Sequence, residues 1–236
     1  MAKRKLTIWF IVIVVAAPSV VFGDLTDGLG AYCSFNKIRQ LTEIPVQNST
    51  FYLHGVDPAL TLDGVAPPGT VAKYKDSLSV NRTAFKEIGT WTHAVPSGVT
   101  LQICPLTALR VWVGLQNSDD QRTCFDLRAE LLRNGAQIAS GETRNIQGVT
   151  HNPDKAKEVV LDFGPISDRY FNSGNILSLR ILTKVTATGG NSSAVGLRLY
   201  YDAVSRASKL EPSSIPSCVD LANTEVTTQV SRPVSI

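Results

Sequence analysis

From Val195 to Asp202 the chain reads Val-Gly-Leu-Arg-Leu-Tyr-Tyr-Asp, and every second residue, Val195, Leu197, Leu199 and Tyr201, is apolar. A strand turns successive side chains to opposite faces, so this alternation predicts a half-buried β-strand. Ile176 to Thr186 repeats it with Leu177, Leu179 and Ile181 on one row, and Thr188 to Ser193 between the two is turn composition. The pair is therefore expected to form a long antiparallel hairpin. Such a hairpin buries one face only under a second layer, and no helical period elsewhere supplies that layer. The rest of the chain is expected to be mostly strands facing this pair.

The remaining text supplies them. Leu109, Val111, Val113 and Leu115 form one row, and Phe125, Leu127, Ala129 and Leu131 another. Helix formers compete for Asp126 to Arg133, but the alternation and the Asn134-Gly135 pair that follows decide for a strand leading into a two-residue hairpin turn. Further strands are expected at Ser49 to Gly55, Val99 to Cys104 and Glu158 to Phe163, with Thr90 to Val95 as a single exposed-face strand. Polar or Pro/Gly-rich loops are expected at 56–69, 116–122, 142–155 and 186–194. Turn signals at short, regular spacing among so many strands predict an all-β fold, an antiparallel β-sandwich of jelly-roll or immunoglobulin-like kind.

The ends read differently. Residues 1–23 have a basic start at Lys3 to Lys5, an apolar run and a small-residue exit before Asp24, which is the layout of a secretory signal peptide. Pro18 and Ser19 interrupt the run short of the roughly 20 apolar residues that cross a bilayer, so cleavage is expected and no membrane span after it. Residues 24–48 read as an N-terminal extension, 49–204 as the sandwich domain and 205–236 as an extended C-terminal tail. Four cysteines, Cys33, Cys104, Cys124 and Cys218, contain no metal-knuckle spacing, and in an exported chain they predict two disulfides. The expected pairs are Cys104 with Cys124 and Cys33 with Cys218. The chain is expected to be secreted, periplasmic or on the cell surface.

Composition excludes more than it identifies. The formal net charge is +3, no basic stripe follows residue 5, and nucleic-acid binding drops out. No nucleophile elbow, zinc-protease helix or phosphate-cradling loop is present, and Asp126, Glu130, Asp162 and Asp202 are aimed outward by alternation as solvated side chains. His54 and His93 read as structural or surface residues. The expected function is a non-enzymatic binding or structural module, its partner an extracellular glycan or a surface protein; a carbohydrate-active or other hydrolase is the alternative. Exposed rings stack on sugars, and the candidates are Trp91, Trp112 and Tyr200, with a coplanar row as the mark of such a site. Asn117, Asp119 and Asp120 are the candidate Ca²⁺ ligands, offering clustered oxygen donors in turn composition; no other cofactor is expected. Asn48, Asn81 and Asn191 open glycosylation triplets, which matter only in a eukaryotic host.

Overall fold

The computed structural model describes residues 50–56, 58–188 and 190–213. The expectations for the signal peptide, the N-terminal extension, Cys33, Cys218 and the chain beyond 213 lie outside the described residues. Along them run β1 (Phe51–Val56), β2 (Ala59–Asp63), β3 (Lys73–Asp76), β4 (Val80–Asn81), β5 (Lys86–Ala94), β6 (Leu101–Gln102), β7 (Leu106–Leu115) and β8 (Phe125–Arg133). There follow β9 (Ala136–Ile146), β10 (Lys157–Pro165), β11 (Tyr170–Phe171), β12 (Ile176–Val185), β13 (Ser193–Ala194), β14 (Leu197–Tyr201) and β15 (Lys209–Pro212). Among the described residues helical geometry is confined to three single turns at Ser118–Asp120, Pro153–Lys155 and Val204–Arg206.

The fold is all-β. One 11-stranded sheet runs β3-β14-β7-β15-β1-β2-β5-β12-β8-β9, with β10 along β7. Among the described residues every ladder is antiparallel except the single β2–β5 contact at Thr61 and Thr92, a departure from the purely antiparallel expectation. The sheet doubles back on itself, because Trp91 on β5 meets Tyr201 on β14 edge-on at 5.5 Å although the two strands stand far apart in the order. Between the layers lies one apolar cluster. Leu109, Val111, Val113 and Leu115 of β7, the Phe125 to Leu131 row of β8, and Leu177, Leu179 and Ile181 of β12 are all at 0% exposure within it. Each such side chain contributes roughly 1.5–3 kcal/mol by leaving water, so the period-2 rows hold the layers together. Thr143 Oγ1 of β9 donates to Val160 O of β10 at 2.6 Å, and a Cβ on Gly141 would stand 2.5 Å from Asp162 O. Only glycine lets β9 approach β10 that closely.

The hairpin turn at Asn134 and Gly135 is as expected, with φ of 51° and 83° and Arg133 paired to Ala136. The long hairpin of the last two strong strands is not formed. Instead β12 lies between β5 and β8, and β14 between β3 and β7. The segment joining them is taken up by β13 pairing with β4, and Gly196 at φ +138° breaks the extended run, so Val195 is exposed and the strand begins at Leu197. The loop expected at 56–69 contains β2, which turns back on β1 with Val56 opposite Ala59. The polar stretch from Glu142 continues β9 to Ile146, and β5 is an interior strand with Ile88 and Trp91 in the core. Part of the expected tail is sheet as well: β15 pairs with both β7 and β1.

The expected Cys104–Cys124 bridge is also not made. Cys124 is a free thiol, while Cys104 is disulfide-bonded. The whole 10-residue β7 and the turn after it separate the two cysteines along the chain. Alkylation of the unreduced protein, followed by peptide mass spectrometry, is expected to find Cys124 alkylated. A peptide joining Cys104 to Cys124 would contradict this chain path.

Candidate functional site

On the outward face of the β3–β14–β7 layer, Tyr74, Tyr200 and Trp112 stand directly opposite one another in the ladders, and Glu158 of β10 follows Trp112. Cross-strand neighbours on one face have Cβ atoms about 4.5–5.5 Å apart, so the three rings form one row across three strands. The next row is Asp76, Arg198 and Gly114. Arg198 donates to both Asp76 oxygens at 2.8 Å and lies 3.8 Å over the Tyr74 ring. The Asp76 hydrogen bonds raise the guanidinium's pKa further, so this cation is permanent. Tyr200 lies across Gly114, where a Cβ would come 2.8 Å from its ring, and is therefore only 4% exposed.

Two clefts open along this row. The first, about 510 Å³, is lined among others by Tyr74, Tyr200, His151, Asp154, Arg198 and Arg206. The second, about 450 Å³, is lined by Arg110, Trp112, Glu158, Lys209 and Glu211, and Ser205 borders both. Arg206 stands at their junction. Its Nε and Nη2 donate to Pro153 O at 3.0 and 2.7 Å, and its guanidinium carbon is 5.8 Å from the Trp112 ring centre. In the second cleft Arg110 reaches Glu158 at 3.0 Å and Glu211 at 2.9 Å, and Lys209 reaches Glu211 at 2.5 Å. Burial pushes the Glu211 carboxyl up, but hydrogen bonds from Lys209 and Arg110 outweigh it and hold the group below its usual range.

Behind the first cleft a polar clamp fixes the wall formed by residues 64–72. His54 Nδ1 meets Asp202 Oδ1 at 2.6 Å, its Nε2 meets Val65 O at 2.8 Å, and Lys73 reaches Asp202 Oδ2 at 2.5 Å. Asp202 sits at φ 61°, and Val204 N donates to Gly69 O at 2.8 Å just beyond it. Burial raises the Asp202 carboxyl, and Lys73 and His54 more than reverse that; Glu142 is lowered in the same way by Arg128 and Arg144 against its own burial. Carboxyls with depressed folded-state values contribute stability above their ordinary values and lose it as pH falls. For Asp202, Glu142 and Glu211 those ordinary values are 3.8, 4.5 and 4.5, so their contribution is intact above about pH 5 and declines below it. Urea midpoints are therefore expected to fall between pH 5 and pH 3. A midpoint unchanged across that interval would contradict the clamp.

The sequence-named rings separate here. Trp112 is half-buried on the row, and Tyr200 is on it but deeply set. Trp91 is at 0% exposure in the core and reaches no ligand, because β5 is an interior strand whose Trp91 side chain points between the layers. The row is not coplanar either: Tyr74 and Tyr200 meet at 69° with centres 6.4 Å apart. Of the Ca²⁺ candidates, Asn117 Oδ1 caps its turn by accepting the Asp119 N–H at 3.1 Å, and buried Asp120 turns Oδ2 to the distant Val195 N–H at 2.8 Å. Among the described residues no group of three or more His, Cys, Asp or Glu is placed to hold a metal ion.

Tyr74, His151 and Arg206 were not legible as site residues. Lys73 to Asp76 is too short to show a period, and the other two lie in or beside single helical turns. His151 Nδ1 lies 3.1 Å from Leu115 O; a carbonyl only accepts, so Nδ1 donates there. Ser205, His151 and Asp154 share the first cleft, but their hydrogen bonds lead elsewhere. Ser205 Oγ accepts from Arg206 at 3.1 Å, and a backbone carbonyl orients the imidazole.

No family model matches the chain, and no curated protein matches it. Among solved structures it is similar to the insecticidal delta-endotoxin Cry8Ea1 of Bacillus thuringiensis, at 11% identity and a TM-score of 0.29, over 66% of this chain and 27% of that one. It is also similar to the VP2 protein of infectious bursal disease virus (D431N mutant), at 10% identity and a TM-score of 0.28, over 66% of this chain and 38% of that one. The Gt strain of that virus gives 12% identity, a TM-score of 0.20 and coverage of 68% and 42%. The chain spans well under half the length of these proteins, and a likeness at this level carries no argument about function.

Proposed function

We propose that this chain is an exported, non-enzymatic binding module that holds an extracellular glycan on the outward face of β3, β14 and β7. The observation that carries the reading is the in-register row Tyr74, Tyr200 and Trp112, flanked by two clefts. Of these rings Tyr74 and the half-buried Trp112 supply apolar area for the faces of a sugar while Tyr200 lies beneath them, and the polar groups around them satisfy its hydroxyls. Because the rings are tilted, the face suits a chain that dips into clefts rather than a flat polysaccharide surface. Export rests on the layout of residues 1–23.

The second reading is a hydrolase, favoured only by the shared lining of Ser205, His151 and Asp154. The two readings part on a single sample: a binding module leaves the glycan it retains intact, and a hydrolase shortens it. A glycan array and polysaccharide pull-down on the purified chain are expected to give retention that Tyr74→Ala or Trp112→Ala abolishes while the circular-dichroism spectrum is preserved. Absence of retention on every glycan, or variants that retain as well as the parent, would overturn the carbohydrate reading. Cross-linking to a surface protein would then identify the partner.

A further inference from the structure

We infer that the ligand is an uncharged, hydroxyl-rich oligosaccharide long enough to occupy both clefts; this rests on the binding reading above and names its ligand class. The inference comes from charge closure. In the second cleft Arg110 serves Glu158 and Glu211 together, and Lys209 also serves Glu211. In the first cleft Arg198 is committed to both oxygens of Asp76 while stacked on Tyr74. An anionic sugar recruiting either arginine would compete with carboxylates that already hold it, so neither cation is open to such a ligand. Two lining charges remain outside these pairs. Arg206 donates to Pro153 O and Ser205 Oγ, both neutral, and Asp154 has no ion pair among the described residues. They sum to zero.

The uncommitted chemistry suits hydroxyl groups. Asp154 offers carboxylate oxygens and the His151 ring a polar edge, while Tyr74, at 53% exposure, offers a ring and a phenol. Across the Ser205 border the half-buried Trp112 offers a second ring. Both volumes fall within the ~300–1,000 Å³ range of small-ligand sites, so each cleft takes a sugar unit and the shared border sets the path between them. Arg206 is a positioning residue here: it ties the Val204–Arg206 turn to Pro153 and covers one edge of Trp112.

Calorimetric titration of matched neutral and uronic-acid oligosaccharides, as monosaccharide and tetrasaccharide and at two salt concentrations, tests this. The neutral tetrasaccharide is expected to bind at least about tenfold more tightly than either its monosaccharide or the uronate, with affinity changing less than about twofold with salt. Asp154→Asn is expected to weaken the neutral ligand about tenfold while leaving the fold intact. Trp112-dependent binding in which the uronate is equal or tighter, or in which affinity falls steeply with salt, overturns the neutral-ligand inference and leaves the binding face standing. Equal affinity for monosaccharide and tetrasaccharide overturns the two-cleft path. Absence of binding by every sugar, or binding indifferent to Trp112→Ala, overturns the binding reading itself.

Discussion

Trp91→Ala is expected to destabilise the protein by about 3–5 kcal/mol, the cost of emptying a buried aromatic site. Trp91 is at 0% exposure, packs edge-on against Tyr201 at 5.5 Å, and is so closely met that a Cβ on Gly89 would stand 3.0 Å from its ring. It joins β5 to β14, which do not pair, so the loss opens a cavity between layers that the hydrogen-bond ladders alone do not hold together. Its indole Nε1 is buried without a hydrogen-bond partner among the described residues, so Trp91→Phe, which keeps a ring and removes that donor, costs less than Trp91→Ala. Urea denaturation followed by circular dichroism measures both. A loss below about 1 kcal/mol for the alanine variant would contradict the doubled-over sheet.

Asp126→Ala is expected to cost about 2–3 kcal/mol, because it strands the buried Thr186 hydroxyl, the Asn145 N–H and the Lys184 ammonium at once. Asp126 is 3% exposed on the outward row of β8, where alternation alone predicts a solvated side chain. Its Oδ1 accepts from Thr186 Oγ1 at 2.7 Å and from the Asn145 N–H at 3.0 Å, and Lys184 stands 3.6 Å from Oδ2. Asn145 is at φ 56°, so the carboxylate fixes an unusual backbone geometry where the β8–β9 register shifts. Asp126→Asn keeps one acceptor and is expected to cost less. Equal stability of Asp126→Ala and the parent in the same urea titration would contradict this role.

Asp126 also shows where a period-2 reading stops. Alternation separates two faces but says nothing of what covers the outer one. Here Arg128 and Lys184 close over Phe85 at 4.0 and 4.8 Å, Glu130 accepts from Arg180, and the Asp126 and Glu130 carboxylates are drawn out of water while Asp162 stays exposed. The inward rows of β7, β8 and β12 were legible because their apolar pattern is a local property of one strand. So was the Asn134-Gly135 turn, whose positive φ values are a property of two residues. Pairing was not. β12 and β14 look like a hairpin because they are neighbours in sequence, yet each is better covered by strands from elsewhere in the chain, and Gly196 and the β4–β13 contact divert the link between them.

The same limit applied to the binding face. Trp112 was legible from its phase against the Leu109–Leu115 row, but phase placed Trp91 no better than chance allows, since the identity of the covering layer decides which row is the inner one. Tyr74 and Tyr200 join Trp112 only through the registers of β3, β14 and β7. Asn117, Asp119 and Asp120 illustrate the converse: oxygens that suit a cation suit backbone N–H groups equally well, and Asn117 and Asp120 serve N–H groups here.

The most direct test of the account is calorimetric titration of a glycan retained on the array against three proteins: the parent, Trp112→Ala and Trp91→Phe. The account predicts that Trp112→Ala loses at least about tenfold in affinity while remaining folded, and that Trp91→Phe binds as the parent does despite its altered core. Undiminished binding by Trp112→Ala would contradict the assignment of the ligand to the Tyr74, Tyr200 and Trp112 face.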